Sequence, residues 1–400
     1  MPAGKGKEGA PTPACSDSIG IDALSDELLQ HIIGFLQAQE AVRTSVLARR
    51  WRNLWKSAMR VRIVAWQGKF LGSVEKLCDF VDHLLQHRQG STLLTFDLAF
   101  TSFGQEMSEC LYKDDYNFLN HVNNWFWHAV SCRVQVLFLN AFGSCIEEPS
   151  LLLDNVPIKS RHLTMLELDG VSVQSRFLDF SNCPSLEQLK FHNCYFSYDS
   201  RFRIRAPNLV SLYLAIIWGM IPVLESMPSL ETAFFATSME SEDTCDEDDC
   251  ACEFCENYYN ISGGTDSNRC VLLKGLSEAE HLTLFSGPQM YIFKMDLKCC
   301  PMFSKLRTLV LDDYWCVPDD FRALVCILKR SPVLQKLTLQ LSSKKHRQQR
   351  ERKGILGPME GSAAILEHLK IIEVTCDAVD ERIGKLTFFL CAFHIRFSLN

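Results

Sequence analysis

The chain has 400 residues, of which 47% are hydrophobic, and its formal net charge is -7 at pH 7. This length and composition allow a sizeable buried core and exclude a wholly disordered chain. The acidic balance excludes a general attraction to nucleic-acid phosphates, so nucleic-acid binding would require a local basic patch.

Residues 1–16 are rich in Gly, Pro and Ala and predict a disordered tail without the apolar segment of a secretory signal. The most apolar run, residues 209–224, contains Pro222 and is shorter than the ~20 residues that span a bilayer. We therefore expect a cytoplasmic and/or nuclear protein that does not contact membranes. Its 18 cysteines are then expected to be reduced thiols rather than a disulfide framework.

Residues 17–60 predict a small all-helical domain. Ser25 is suited to cap a first helix, because Asp26 and Glu27 follow it where a helix N-terminus favours negative charge. Two apolar stripes at helical spacing follow, and they consist of Leu28, Leu29, Ile32, Ile33 and Leu36, then Val42, Val46, Leu47, Trp51, Leu54 and Trp55. The second stripe predicts one helix from residue 42 to residue 55. The arginines around it are expected mostly to face solvent or acidic groups of a partner; these are Arg43, Arg49, Arg50 and Arg52.

A connecting segment at 61–90 is predicted to precede an internal repeat. The template apolar-x-x-apolar-x-apolar recurs ten times, which is typical of leucine-rich repeats. The units are Leu93-Phe96-Leu98, Val134-Leu137-Leu139, Leu163-Leu166-Leu168, Leu186-Leu189-Phe191, Leu209-Leu212-Leu214, Leu230-Ala233-Phe235, Ala279-Leu282-Leu284, Leu306-Leu309-Leu311, Leu334-Leu337-Leu339 and Leu366-Leu369-Ile371.

Each unit predicts a short strand whose alternate side chains enter a shared core, and neighbouring units must stack to bury it. Residues 115–130 and 321–328 have the apolar spacing of helical returns. The fold class predicted is therefore α/β, with a small helical domain followed by an irregular leucine-rich-repeat solenoid over residues 91–400.

The segment IDALSDELLQHIIGFLQAQEAVRTSVLARRWRNLW resembles the F-box in its plant form, and LEHLKIIEVTCDAVDERIGKL is similar to the FBD-type ends of plant F-box/LRR proteins. Ser25 departs from that pattern, in which proline usually follows the leucine, although serine still caps a helix. The resemblance implies that the F-box docks on a Skp-type adaptor, which joins it to a cullin-based SCF E3 ubiquitin ligase. The repeats would bind a protein substrate.

The same resemblance implies a set of residues that supply adaptor contacts or the core of the F-box, and the sequence does not divide these two roles. The set is Leu24, Leu28, Leu29, Ile32, Ile33, Leu36, Val42, Val46, Leu47, Trp51, Leu54 and Trp55. For the substrate, exposed positions on the repeat strands are the candidates, because the strand face of a solenoid is an extended binding surface. Those chosen are Glu167, Lys190, Tyr213 and Thr338.

Two charged loops are predicted within the repeats. The acidic loop at 238–256 carries four cysteines that could bind zinc, namely Cys245, Cys250, Cys252 and Cys255. Its charge and the missing second C-x2-C pair favour a solvated loop instead. The basic loop at 342–358 allows a nuclear localisation signal, and its charge run again favours a solvated loop.

Motifs of catalysis are missing from the sequence, which has no phosphate-binding G-x-x-x-x-G-K-[ST], no H-E-x-x-H and no G-x-S-x-G. His192 and His281 lie beside repeat strands and are expected to be surface or core residues rather than bases. We therefore predict a non-catalytic ligase component with no cofactor, no metal and no nucleic-acid partner. The alternative is a repeat scaffold that acts outside ubiquitin transfer.

Overall fold

The computed structural model describes residues 20–66, 74–88, 92–101, 120–140, 158–173, 177–196, 203–237, 270–286, 291–316, 321–341, 368–376, 381–391 and 396–399. Within these ranges the chain combines helices and strands, with the helical segment first. The predicted tail at 1–16 and both charged loops lie outside the described residues.

The N-terminal helices are short. They are α1 (Asp26–Ile33) and α2 (Ala38–Arg43), with 3₁₀ segments at Ile21–Ala23, Thr44–Val46 and Arg49–Ser57. The later helices lie between strands, and they are α3 (Val74–Gln86), α4 (residues 120–131), α5 (Tyr291–Lys298), α6 (Arg322–Lys329) and α7 (Glu381–Cys391), with a 3₁₀ turn at Asp313–Cys316.

One twelve-stranded parallel sheet organises the rest. Its strands, in their order across the sheet, are β1 (Arg60–Trp66), β2 (Thr95–Thr101), β3 (Val136–Asn140), β4 (Met165–Asp169), β7 (Gln188–His192), β10 (Ser211–Ile217), β12 (Thr232–Thr237), β13 (His281–Phe285), β14 (Thr308–Asp312), β15 (Lys336–Leu341), β16 (Ile371–Cys376) and β17 (Arg396–Leu399). Two small parallel sheets accompany it. One pairs β5 (Ser172–Val173) with β8 (Tyr195–Phe196), and in the other β9 (Arg203–Arg205) lies between β6 (Phe177–Asp179) and β11 (Val223–Leu224).

Alternate residues of the strands form the core. In β4, for example, Leu166 and Leu168 are buried, and they pair in register with the equally buried Leu189 and Phe191 of β7. The first nine predicted repeat units follow this rule, since the second and third apolar positions of each lie on the buried face. The strand positions of these nine units are therefore confirmed.

The tenth predicted unit has the wrong register. Ile371 is exposed, whereas Ile372 and Val374 are buried and pair with Leu337 and Leu339. The correct unit begins at Leu369. The apolar run from 369 to 374 fits the template in two frames, and only pairing with β15 selects one of them.

The sheet also begins earlier than predicted. Segment 61–90 contains nearly all of β1 as well as α3, and β1 pairs in parallel register with β2 along its whole length. Ala58, Val61 and Ile63 are buried and reproduce the repeat template, so the sheet starts at Arg60 rather than near residue 91.

A left-handed backbone conformation follows β4 and β7 directly, and it interrupts β10 one residue before its end, where the pairing with β12 shifts register. The residues concerned are Gly170, Asn193 and Ile216, with φ of 67°, 50° and 52°. The amide of Gly170 donates to the carbonyl of His192, and the amide of Asn193 donates to the carbonyl of Ala215. Glycine and asparagine accept this conformation, whereas a β-branched isoleucine is strained in it.

A buried carboxylate holds the return segment that precedes β13. Asp296 of α5 accepts hydrogen bonds from the amides of Val271, Leu272 and Leu273 at 2.7, 2.7 and 2.8 Å. Burial raises its pKa, while the three amide donors oppose that rise. None of the helices in the described ranges has both the length and the apolar character needed to cross a membrane.

Candidate functional site

The helical segment has a small core of its own. Leu29 and Ile33 of α1 pack with Trp51 and Leu54 of the third 3₁₀ segment. Trp51 and Leu54 are three residues apart, which places both on one side of a 3₁₀ helix. Two alanines and three half-buried side chains complete the cluster, and they are Ala41, Ala58, Leu24, Leu36 and Trp55. Ala38 belongs to the core of the sheet instead.

The predicted single helix over residues 42–55 is wrong. The chain passes from α2 into the 3₁₀ turn Thr44–Val46, and it then reaches Ala48, whose backbone is extended, before the next 3₁₀ segment. Because of this break, the residues of the second apolar stripe do not share one helix face. Val46 and Leu47 lie outside the core that contains Trp51 and Leu54.

Two pairs of apolar side chains on this segment are exposed, and we call them the exposed apolar pairs. Leu28 and Ile32 are neighbours on one face of α1 and are 52% and 39% exposed, while Val46 and Leu47 are 84% and 67% exposed. Seven of the eleven large apolar side chains that are exposed in the described residues belong to residues 21–59. Such a concentration is typical of a surface that binds another protein.

Three exposed residues of that group were missed from the sequence. They are Ile21, Phe35 and Met59. Phe35 makes an edge contact with His31 at a ring distance of 5.0 Å, and the guanidinium of Arg60 lies 5.0 Å from its ring centre. Phe35 lies between Ile33 and Leu36 of the predicted apolar stripe, so its position beside Leu36 was the available signal.

Hydrogen bonds fix the start of α1. The hydroxyl of Ser25 accepts from the amide of Leu28 at 3.4 Å, which confirms the predicted cap. Arg50 donates to the Leu24 carbonyl at 2.6 Å and forms an ion pair with Asp26 at 2.7 Å. Arg50 therefore ties the third 3₁₀ segment to α1 within the chain, although the four arginines were predicted mostly to face solvent or acidic groups of a partner.

The helical segment is attached to the sheet through both packing and hydrogen bonds. Ala38 belongs to the core of the sheet, and Val42 and Trp55 pack against that core. Arg88, which follows α3 and is only 4% exposed, donates to the carbonyls of Trp55 and Ala58. Burial lowers the pKa of Arg88 to about 10, so the side chain remains charged at neutral pH. Among the predicted site residues, Val42 and Trp55 thus lie at this junction.

The four substrate candidates lie in one row on the face of the sheet opposite the core. Register places Glu167, Lys190 and Tyr213 side by side on β4, β7 and β10. The same row continues through β12, β13 and β14 to Thr338 on β15. Lys190 forms an ion pair with Glu167 at 3.4 Å, and Thr338 donates to Glu373 at 3.5 Å.

Aromatic rings occupy the middle of this face. Tyr213 and Phe234 are stacked with ring centres 4.6 Å apart, and Phe285 meets Phe234 edge-on at 5.6 Å. We call these three residues the aromatic platform. Phe234 and Phe285 were missed from the sequence, although both occupy strand positions that alternate with buried ones.

Polar side chains border the platform at β7 and β4. His192 lies with Nδ1 3.0 Å from Asp169 Oδ1, and Asn140 donates to the other carboxylate oxygen at 2.9 Å. His281 contacts the hydroxyl of Thr308 at 2.7 Å. Both histidines are therefore side chains of the outer face, as the sequence predicted.

Metal ligands are not gathered anywhere in the described part of the chain. No group of three or more His, Cys, Asp or Glu side chains there is arranged to hold an ion. The predicted zinc ligands Cys245, Cys250, Cys252 and Cys255, and the basic residues after 341, lie outside the described residues.

Comparison with known proteins identifies the helical segment. Residues 21–62 match the model of the F-box domain. An F-box protein of Arabidopsis thaliana is 24% identical over 359 residues, which cover 81% of this chain and 84% of that protein. An Arabidopsis thaliana F-box/LRR-repeat protein is 27% identical over 53% of this chain and 38% of its own length. An FBD-associated F-box protein of the same plant is 30% identical over 45% of this chain and 36% of its own length.

Proposed function

Because the chain belongs to the plant family of F-box proteins with leucine-rich-repeat and FBD-type regions, we propose that it is the substrate-recognition subunit of an SCF-type E3 ubiquitin ligase. Its F-box would bind a Skp-type adaptor and, through it, a cullin. The remainder of the chain would hold a protein substrate. Such a subunit needs no catalytic residue, because it accelerates transfer by holding the substrate lysine near ubiquitin carried by another protein.

The observation that supports this proposal best is the division of the F-box side chains into two groups. Leu29, Ile33, Trp51 and Leu54 form its core, whereas the exposed apolar pairs have no core to join. We propose that the pairs Leu28 with Ile32 and Val46 with Leu47 contact the adaptor. Covering such side chains contributes about 25 cal/mol per Å² of apolar surface removed from water.

Co-purification with a Skp-type adaptor tests the proposal. Replacing Leu28 and Val46 with serine should weaken adaptor binding by at least about tenfold, because both apolar pairs lose a member. The fold should be unaffected, since neither side chain belongs to a core cluster. Phe388→Ser is the matched control, because Phe388 is 85% exposed on α7, far along the chain from the F-box.

The role in adaptor binding is refuted if the wild-type chain does not bind the adaptor, or if Leu28→Ser with Val46→Ser binds as tightly as Phe388→Ser. Trp51→Ser is a poor variant for this test, since Trp51 is in the F-box core and its loss would unfold the module.

The scaffold alternative differs in what accompanies the adaptor. A ligase subunit should assemble with adaptor and cullin together and should support ubiquitin transfer to a bound protein. A chain that forms the adaptor complex and never recruits a cullin would instead act outside ubiquitin transfer. Either role would place the protein in the cytoplasm and/or the nucleus.

For the substrate, we propose that the sheet and its returns form a leucine-rich-repeat solenoid whose strand face carries the binding surface. The aromatic platform would be the centre of that surface, with Glu167, Lys190 and Thr338 in the same row around it. Aromatic side chains with a polar border are the usual anchors of protein interfaces, where a few residues dominate the binding energy.

Proximity labelling tests this surface. A substrate that binds the platform should be labelled by the wild type. Its labelling should be lost when Tyr213 and Phe234 are changed to serine, while the adaptor remains labelled. Gln340→Ala, an exposed change on β15 of the same face, is the control. An unchanged set of labelled proteins would remove the platform from the substrate site without affecting the adaptor proposal.

A further inference from the structure

Two carboxylates lie beside the aromatic platform, one on each side of it. Register places Asp169 of β4 next to His192 of β7, and the same row continues through β10 and β12 to Phe285 of β13. Asp312 of β14 accepts a hydrogen bond from the amide of Ser286, the residue after Phe285. Asp169 and Asp312 both occupy positions that alternate with buried ones. The platform therefore lies between two acidic side chains of the same face.

Neither carboxylate is paired with a lysine or an arginine of the described residues. Asp169 accepts from the side-chain amide of Asn140 at 2.9 Å and lies 3.0 Å from the imidazole of His192. Asp312 accepts from two backbone amides. Because a carboxylate offers about four acceptor sites, each keeps room for a further donor.

Positive charge is scarce in this part of the face. The six strands from β4 to β14 in the order of the main sheet contain three carboxylates, one lysine and no arginine. The lysine, Lys190, is already paired with Glu167 at 3.4 Å. Asp169 and Asp312 are therefore the charges left for a partner, and a partner that complements them is basic.

The separation of the two carboxylates sets the length of what they could hold together. Five strand steps lead from β4 to β14 in the sheet, which amount to about 24 Å at the usual spacing of neighbouring strands. An extended peptide covers that distance with about seven residues. On the way it would cross the platform, whose rings favour apolar side chains.

We propose that the substrate segment held by this face has an apolar centre with a lysine or arginine on each side of it. The basic side chains would pair with Asp169 and Asp312, and the apolar centre would pack on the aromatic platform. The aliphatic part of each basic side chain can lie along a ring while its cation reaches the carboxylate. This inference rests on the proposed role of the strand face in holding the substrate, and it adds the chemical class of that substrate.

A random peptide library tests the class of occupant. Peptides of about twelve residues, which exceed the required span, are selected on the full-length chain at pH 8. Asp312 is ionised there, since burial raises its pKa to about 7. Peptides that also bind the chain with Tyr213→Ser and Phe234→Ser are removed. We expect the remaining peptides to be enriched in lysine or arginine on both sides of apolar residues, and enrichment of acidic or uncharged peptides, or no remaining peptide, overturns the proposal.

Charge variants then assign the contacts. The affinity of a selected peptide, measured by fluorescence anisotropy, should fall at least about threefold in Asp169→Asn and in Asp312→Asn, because each variant keeps the size of the side chain and loses its charge. Glu373→Gln is the matched control. It removes a carboxylate from the same face two strands beyond β14, where Lys336 pairs with it at 2.9 Å. A peptide that binds all three variants alike overturns the proposal.

The adaptor and the platform are judged by other measurements. Co-purification of the adaptor, and the loss of labelling in the chain with Tyr213→Ser and Phe234→Ser, do not depend on the charge of the occupant. If the selected peptides require the platform but carry no basic residues, the platform stays the substrate site and the basic occupant is wrong.

Discussion

Arg88 donates from Nη1 to the carbonyl oxygen of Trp55 over 2.5 Å, across a sequence separation of 33 residues. This contact joins the F-box to the sheet through a buried cation. The carbonyl of Ala58 accepts from the same guanidinium, so both bonds end on the last turn of the third 3₁₀ segment and the residue after it. A cation at the carbonyl end of a helix is stabilising, and its loss leaves buried acceptors without donors.

Arg88→Ala is therefore expected to lower the free energy of unfolding by about 2–4 kcal/mol, and Arg88→Lys by roughly half as much, because lysine has no planar pair of donors. Urea denaturation of both variants measures the difference. An Arg88→Ala protein within about 0.5 kcal/mol of the wild type would show that the contact contributes little.

Ile216→Asn should stabilise the protein. Ile216 has a φ of 52° and is 38% exposed, and Asn193, directly after the neighbouring strand β7, is the equivalent residue, since Ala215 pairs with His192. Asparagine accepts the left-handed conformation, so the change should remove about 1 kcal/mol of strain with little loss of burial. Thermal unfolding measures the gain, and Ile216→Val, which keeps the β-branch, should show none.

Asp312 should make stability depend on pH. Burial raises its pKa from 3.8 to about 7, against the hydrogen bonds donated by the amides of Ser286 and Tyr314. The folded state then binds the proton more tightly than the unfolded state between those values. Stability is lost as the pH rises through that window.

In Asp312→Asn this contribution disappears. We therefore compare the two proteins by the free energy of unfolding of the variant minus that of the wild type. This difference should rise by on the order of 2 kcal/mol between pH 4.5 and pH 8. Denaturation curves at several pH values give the difference directly. A difference independent of pH would mean that Asp312 has an ordinary pKa in the folded chain.

Asp296→Ala is expected to be the most damaging of these changes. Three buried amides would lose their acceptor, and each unsatisfied donor costs about 1–3 kcal/mol. Asp296→Asn keeps one acceptor oxygen and should recover part of the loss. If alanine and asparagine destabilise equally in urea denaturation, the carboxylate geometry is not what holds residues 271–273.

Strand positions were predictable because each repeat places two large apolar residues at fixed spacing, as at Leu166 and Leu168. The unit at Leu369 was misplaced because its apolar run fits two frames, and the pairing with β15 that decides between them is not local. The first unit was missed because Ala58 is a weak apolar marker at its first position.

In the F-box, the sequence was enough to find the apolar residues, but it did not show which of them are buried and which are exposed. Leu28 and Leu29 are adjacent and chemically equal, and only the packing of α1 on Trp51 and Leu54 separates an exposed from a buried side chain. The predicted helix through Val46 failed because the extended backbone at Ala48 has no marker such as proline or glycine. Arg50 and Arg88 act through bonds to distant carbonyls, which no spacing rule reveals.

The position of the F-box beside β1 has a consequence for deletion experiments. In the described residues β1 is the outermost strand of the sheet at its N-terminal side, and α2 lies against it while Ala38 fills the end of the core. Removing the F-box would uncover that end, and an open row of strand amides invites pairing between molecules. A chain cut before residue 60 should therefore aggregate, and its loss of activity would report insolubility rather than lost adaptor binding.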